Sequence, residues 1–278
     1  MKPSIFKAGI FDGKVALITG GGTGICKGIA SALAAHGAKT VITSRSMEHL
    51  EPAAREIEKT SGRECLPVAA DVRKPEEVEG AVAAALSKFG RIDILINGAA
   101  GNFLCPSEEM SYNGFGTVLD IDTKGTFNFC RAVHSAWMGK HGGQILNISA
   151  TLHYRGTPLQ LHVAAAKAAI DALTYNLAVE WGPKGIRVNA IAPGPVGDTE
   201  GAKRLFPEAV GEALRKNVPI GRLGTIEDIA NLALFVLSDA GTNLNGSILV
   251  SDGGHILSPH SGTGITVEEF RKHMKPKG

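Results

Sequence analysis

The chain has 278 residues, 44% hydrophobic and 20% charged, enough for one large domain with a substantial core. Its 29 Lys and Arg against 27 Asp and Glu leave a net charge of +2, which gives no reason to expect nucleic acid or an anionic membrane as partner. No apolar run reaches the ~18 residues of a membrane span, and the scattered Cys26, Cys65, Cys105 and Cys130 show neither CxxC pairs nor metal-ligand spacing, so we expect free thiols in a reducing compartment and no metal.

Strand and helix patterns alternate along the chain. The apolar run 15–19 is a strand that stops at glycines, and 26–36 has helical spacing up to Gly37. A strand over 40–43 and a helix over about 47–60 follow, then a strand over 65–69 and a helix over 76–89 opened by Pro75. The pattern continues with a strand at 92–96, one long helix over roughly 113–137, a strand at 144–148 and a helix at 164–181. It closes with strand 187–192, helix 227–237 and strand 247–250. Strands apolar on both faces and separated by helices predict a parallel sheet covered on both sides. No linker-like composition interrupts it before about residue 258. We therefore expect a single doubly wound α/β domain over 1–278, with its core at about 12–255 and a loosely held tail at 256–278.

The stretch from Thr19 to Cys26, TGGGTGIC, joins the first strand to the first helix. Glycines in that setting let backbone N–H groups approach a pyrophosphate at a helix N-terminus. Cys26 stands where a third glycine usually allows close packing; being small, it predicts a slight displacement and not a loss of binding. The second strand ends in Thr43-Ser44-Arg45, with no carboxylate for ribose hydroxyls, and Arg45 suits a 2′-phosphate. That favours NADP over NAD, the alternative being a solvated surface arginine. Asp71 and the Asn97-Gly-Ala99 segment fall at the carboxyl edge of the sheet, where ligands bind in such folds.

Together these features resemble the short-chain dehydrogenase/reductase family. The marks are TGGGTGI at 19–25, Asp71-Val72, INGAAG at 96–101, NIS at 147–149, Lys167, RVNAIAPGPV at 187–196 and DGG at 252–254. They run in family order over about residues 12–255. The resemblance implies a seven-stranded Rossmann fold with helices on both faces, a homotetramer, and a nicotinamide cofactor running from the glycine loop to the PGPV turn. Cofactor contacts are implied at Gly20, Gly22, Thr23, Gly24, Ile25, Arg45, Asp71, Val72, Asn97, Ala99, Lys167, Pro193, Gly194 and Val196.

The family's Asn, Ser, Tyr and Lys tetrad is largely absent here. The asparagine slot, three residues before Gly125, holds Asp122; the serine slot, seventeen before Lys167, holds Ala150; the tyrosine slot holds Val163. Only Lys167 is kept. Carbonyl reduction needs an acid beside the oxygen, worth a factor of ~10²–10⁴, so a simple alcohol dehydrogenase fits poorly. Reduction of a carbon–carbon double bond conjugated to a thioester fits better. Charge then develops on the thioester oxygen and a carbon is protonated afterwards, with Asp122 and Lys167 as candidates to hold the donating water. For Asp122 the alternative is a carboxylate that only satisfies backbone N–H groups. His162, beside the tyrosine slot, reads first as a packed histidine.

A second resemblance, in GNFLCP at 101–106, VLDIDTKGTFN at 118–128 and PGPVGDTEG with Arg204-Leu205, is to the 2,4-dienoyl-CoA reductases, most closely their peroxisomal branch. It implies NADPH-dependent reduction of an acyl-CoA substrate, 2,4-dienoyl-CoA, to 3-enoyl-CoA in unsaturated fatty acid β-oxidation. Asp122 and Lys167 would be catalytic, Phe103 would line the acyl channel, Arg73 and Arg204 would meet CoA phosphates, and Ser111 would add a polar contact. Each also has a plainer reading: core for Phe103, solvated charges for the arginines, a helix N-cap for Ser111. The stretch CRAVHSAWMGKHGG at 130–143 also resembles trans-2-enoyl-CoA reductases. A non-catalytic dinucleotide-binding sensor is the reading from another class. A soluble intracellular setting is expected, in peroxisome, mitochondrial matrix or bacterial cytoplasm. The ending HMKPKG is not the SKL-type tripeptide.

Overall fold

The structure, a computed structural model, describes residues 4–199 and 214–258. Its elements run β1 (Val15–Thr19), α1 (Gly24–Ala35), β2 (Lys39–Ser44), α2 (Met47–Ser61), β3 (Cys65–Ala69), α3 (Pro75–Phe89), β4 (Ile94–Asn97), α4 (Tyr112–Leu119), α5 (Gly125–Val133), a short α6 (Gly139–His141), β5 (Gly143–Ile148), a short α7 (Leu152–Arg155), α8 (Leu161–Trp181), β6 (Ile186–Pro193), α9 (Ile226–Leu237) and β7 (Ile248–Ser251). The seven strands form one parallel sheet in the order β3-β2-β1-β4-β5-β6-β7. Alternation along β1 shows why the strands read as apolar throughout. Ala16 and Ile18 enter the core shared with α1, α2 and α9, while Val15 and Leu17 enter the core on the other face with α3 and α5.

Local signals set the boundaries. Ser46 accepts a bond from Glu48 N at 3.2 Å to open α2, which closes on Gly62 at φ 69°. α9 opens with reciprocal bonds between Thr225 and Asp228. Thr225 and the adjacent Arg222 hold the Asp228 carboxyl down at about 2, Arg222 contributing most.

The long helix expected at 113–137 is corrected. It is broken into α4, a π-helical turn at Asp120–Lys124, α5, a second π-helical turn at His134–Met138, and α6. A π-turn inserts an extra residue without altering hydrophobic spacing enough to show in sequence, and such turns occur often at functional sites. Here the first one carries Asp122.

Because the chain passes from β1 outward to β3 and then returns to β4 on the other side of β1, a crevice opens at the carboxyl ends of β1 and β4.

Candidate active site

A cleft of about 770 Å³ occupies that crevice, lined by Gly20, Thr23, Ser44, Arg45, Asp71, Val72, Ala99, Ile148, Ala150, Lys167, Gly194 and Val196 among others. A second cleft, of about 640 Å³, lies at the opposite edge by the strand starts Ile94, Gly143 and Ile186. It lies at the amino ends of the strands, whereas ligands of open α/β sheets bind at the carboxyl edge.

The first loop fits a dinucleotide. Gly20 and Gly24 have φ of 69° and 55°, a region that favours glycine. A Cβ on Gly20 would stand 3.1 Å from Ala99 N and Gly98 O, so the bare backbone is what lets β1 and β4 end side by side. Thr19 Oγ1 accepts from Gly98 N at 2.9 Å and Ala99 N at 3.1 Å, which clamps the two strand ends. Gly22, Ile25 and Arg45 also line this end of the cleft, Arg45 with its side chain exposed.

Cys26 takes the third-glycine position because another glycine makes room. A Cβ on Gly98 would lie 2.0 Å from Cys26 Sγ. The thiol is buried, and burial pushes its pKa up to about 12, so it packs and does not react. Substituting Gly98 by Ala is expected to cost ~1–3 kcal/mol by overpacking. Most of that loss should disappear when Cys26 is replaced by Gly, as a double-mutant cycle of denaturant melts would show.

Asp122 and Lys167 come together. Lys167 Nζ lies 3.1 Å from Asp122 Oδ2 and donates to Ile148 O at 3.0 Å, while Asp122 Oδ1 accepts from Gly101 N at 2.7 Å. Three elements and a loop meet there: α8, the π-turn, the end of β5 and the 98–106 segment. Both side chains are buried, Asp122 completely, and Lys167 is the one that reaches the cleft wall. A buried pair of this kind stands only because each member has its partner and further bonds. Ala150 lines the cleft without a hydroxyl, and Val163 packs on Val118 and Ala166.

Hydroxyls nearby are spent elsewhere. Asp171 is buried and accepts from Tyr154 OH at 2.8 Å and from Ser149 Oγ, with His153 Nε2 at 2.8 Å. Burial and the Asp171 carboxylate raise the Tyr154 pKa well above the usual phenol value. Tyr154 is thus bound to a carboxylate and not offered to the cleft.

The remaining predicted residues divide. Arg73 forks onto Asp71, its Nε 2.9 and 3.1 Å from the two carboxylate oxygens, and holds the Asp71 pKa below the usual range. Asn97 spends its amide on Asn147 Oδ1 at 2.9 Å, and Asn147 in turn donates to Thr174 at 2.9 Å, a buried chain tying β4, β5 and α8. Pro193 is buried at the end of β6, one residue before Gly194 reaches the cleft. Ser111 caps α4, accepting from Gly114 N at 3.0 Å. Phe103 is 38% exposed on the loop after β4. Arg204 lies outside the described residues.

Sequence reasoning missed a loop pairing. Cys105 N donates to Leu159 O at 3.0 Å, and Gln160 Nε2 donates to Asn102 Oδ1 at 3.3 Å. Leu159 has φ of 66°, the sole non-glycine residue with positive φ among those described. Such a conformation costs ~1–3 kcal/mol and persists where its surroundings impose it. Nothing in the residue type announced it.

With this geometry, comparison with known proteins is informative. The family described as enoyl-(acyl carrier protein) reductase matches residues 20–255. The chain belongs to the short-chain dehydrogenase/reductase family. Among relatives in that family, the peroxisomal 2,4-dienoyl-CoA reductase [(3E)-enoyl-CoA-producing] of Danio rerio is 50% identical over 257 residues, covering 91% of this chain and 85% of that protein. A short chain dehydrogenase of Bacillus anthracis shares the fold at a TM-score of 0.79 and 46% identity, covering 88% of this chain and 97% of that one. A 3-ketoacyl-(acyl-carrier-protein) reductase of Brucella melitensis, solved in complex with NADH, matches at a TM-score of 0.81 and 33% identity, over 88% and 99% of the two chains. No helix among the described residues is long and apolar enough to cross a membrane.

Proposed function

We propose that this short-chain dehydrogenase/reductase is an NADPH-dependent reductase of 2,4-dienoyl-CoA thioesters, yielding 3-enoyl-CoA for the oxidation of unsaturated fatty acids. The observation that carries the reading is the buried Asp122–Lys167 pair beside a cleft whose serine and tyrosine positions are Ala150 and Val163. A site with that pair and no phenol suits a substrate whose own conjugation carries charge away from the reacting carbon. The relative named above for a 2,4-dienoyl-CoA reductase supports the same choice.

Residues 20–25, Asp71-Val72, Ala99 and 194–196 would hold the dinucleotide, and Lys167 would bond its nicotinamide ribose. NADPH, when bound, supplies a hydride to the δ-carbon of the diene. Electron density moves along the conjugated system to the thioester oxygen, and the α-carbon then takes a proton. Lys167 faces the cleft and would hold the water that gives it, while Asp122 behind it would keep the ammonium in place. Phe103 would meet the acyl chain, Arg73 and Arg204 would meet CoA phosphates, and Ser111 would add a polar contact. Exposed Phe127, Tyr175 and Val179 on α5 and α8 are consistent with a homotetramer.

A steady-state assay with NADPH and 2,4-hexadienoyl-CoA tests the function. Turnover of the diene above trans-2-hexenoyl-CoA supports it, and the reverse preference makes the protein an enoyl reductase. Cofactor binding without turnover makes it a sensor. Arg45→Asp is expected to raise KM for NADPH by about 10–100-fold while leaving or improving NADH, since one charge-assisted contact is worth ~1.5–3 kcal/mol; an unchanged NADPH/NADH ratio would remove Arg45 from the cofactor site.

A further inference from the structure

His162 is placed beside a site whose two usual donor positions hold no donor. Charge that collects on a thioester oxygen requires a fixed hydrogen-bond donor, and such a donor typically matters by ~10²–10³ in rate. The two positions from which the family would supply one are Ala150 and Val163, which have none. Lys167 is engaged with Asp122 and Ile148 O.

His162 precedes Val163 on α8 and has no exposed surface. Neither ring nitrogen meets hydrogen-bond geometry with a described residue, although Nδ1 and Nε2 are both buried and the Phe103 carbonyl is near enough to act on the ring without completing a bond. Buried polar groups nearly always have a partner, so an unpartnered imidazole points to one outside the chain. The ring lies behind the cleft wall, next to residues that form it. The Phe103 ring lies across the imidazole with centroids 4.2 Å apart and planes 31° apart. Gln160 and Asn102, bonded to each other, line the cleft two residues before His162 and one before Phe103. Phe103 is the partly exposed member, so a chain that displaced it would uncover the imidazole behind.

Burial lowers the His162 pKa, opposed in part by the Phe103 carbonyl and the Asp122 charge. An imidazole so placed can offer a ring N–H to a ligand.

We propose that His162 donates a ring N–H to the carbonyl oxygen of the bound acyl thioester and stabilises the charge that develops there. This rests on the dienoyl-CoA reading above. The test compares wild type with His162→Gln, which keeps an N–H donor, and His162→Leu, which keeps apolar bulk against Phe103 and removes the donor. We expect kcat on 2,4-hexadienoyl-CoA to fall about 100-fold or more in His162→Leu and less than about 10-fold in His162→Gln, with the NADPH dissociation constant unchanged in both. A second readout needs no turnover. A polarised conjugated thioester absorbs at longer wavelength, so dienoyl-CoA bound without NADPH should show a red-shifted band with wild type and His162→Gln but not with His162→Leu. A His162→Leu protein as active as wild type, or equal losses in both variants, overturns the proposal. Should His162→Leu fail to fold, His162→Phe carries the same comparison. If wild type itself does not reduce the diene, the functional reading fails and this proposal with it; if wild type does and His162→Leu matches it, only the role of His162 falls.

Discussion

Asp122→Ala is expected to lower kcat on 2,4-hexadienoyl-CoA by ~10²–10³-fold, because it frees the Lys167 ammonium that would fix the donating water, with NADPH affinity near that of wild type. The separation follows from placement. Asp122 touches Gly101 N and Lys167 but is not on the cleft wall, whereas the proposed dinucleotide site is lined by the glycine loop and the segments that follow β4 and β6. Removing one partner of a buried pair also costs ~3–5 kcal/mol of stability, so Asp122→Ala must be checked by denaturant melt. Asp122→Asn keeps an acceptor for Gly101 N and removes only the charge. Comparing the two variants separates a folding loss from a catalytic one. Unchanged turnover in Asp122→Asn would leave Asp122 as a mere backbone partner.

Lys167→Ala should harm both binding and turnover. Lys167 is the member of the pair that reaches the cleft, and it also donates to Ile148 O at the end of β5. Loss of a bond to the nicotinamide ribose should weaken NADPH by about tenfold, or ~1.4 kcal/mol. Loss of the ammonium that orders the donating water should lower kcat by ~10²–10³-fold or more. Cofactor titration by fluorescence and single-turnover kinetics read the two effects separately. If binding alone changed, the proton would have to come from another group.

Much of this was legible because the code is local. The glycine loop works through backbone freedom between a strand and a helix, both of which show in hydrophobic spacing. Lys167 and the Asp122 substitution could be found because the family resemblance fixed their slots. Other features had no local sign. Whether Arg73 would meet solvent or Asp71 depended on a turn that brings two neighbours into a fork. Ser111 carried an equally plain signal for a cap and for a ligand contact, and its side chain caps α4. Cys26 looked like a departure until Gly98, far along the chain, proved to be its counterpart.

By itself, then, the amino-acid order determined the succession of the seven strands, the glycine-rich turn after the first of them and the absence of a phenol at position 163, since each depends on residues close together in the chain. Tertiary structure alone decided that a π-turn swings Asp122 onto Lys167, that Asp171 occupies the Tyr154 hydroxyl, and that His162 lies buried against Phe103. Those outcomes depend on which groups distant in sequence are pressed together when water is excluded, and there a buried charge or imidazole is set by its neighbours and not by its place in the chain.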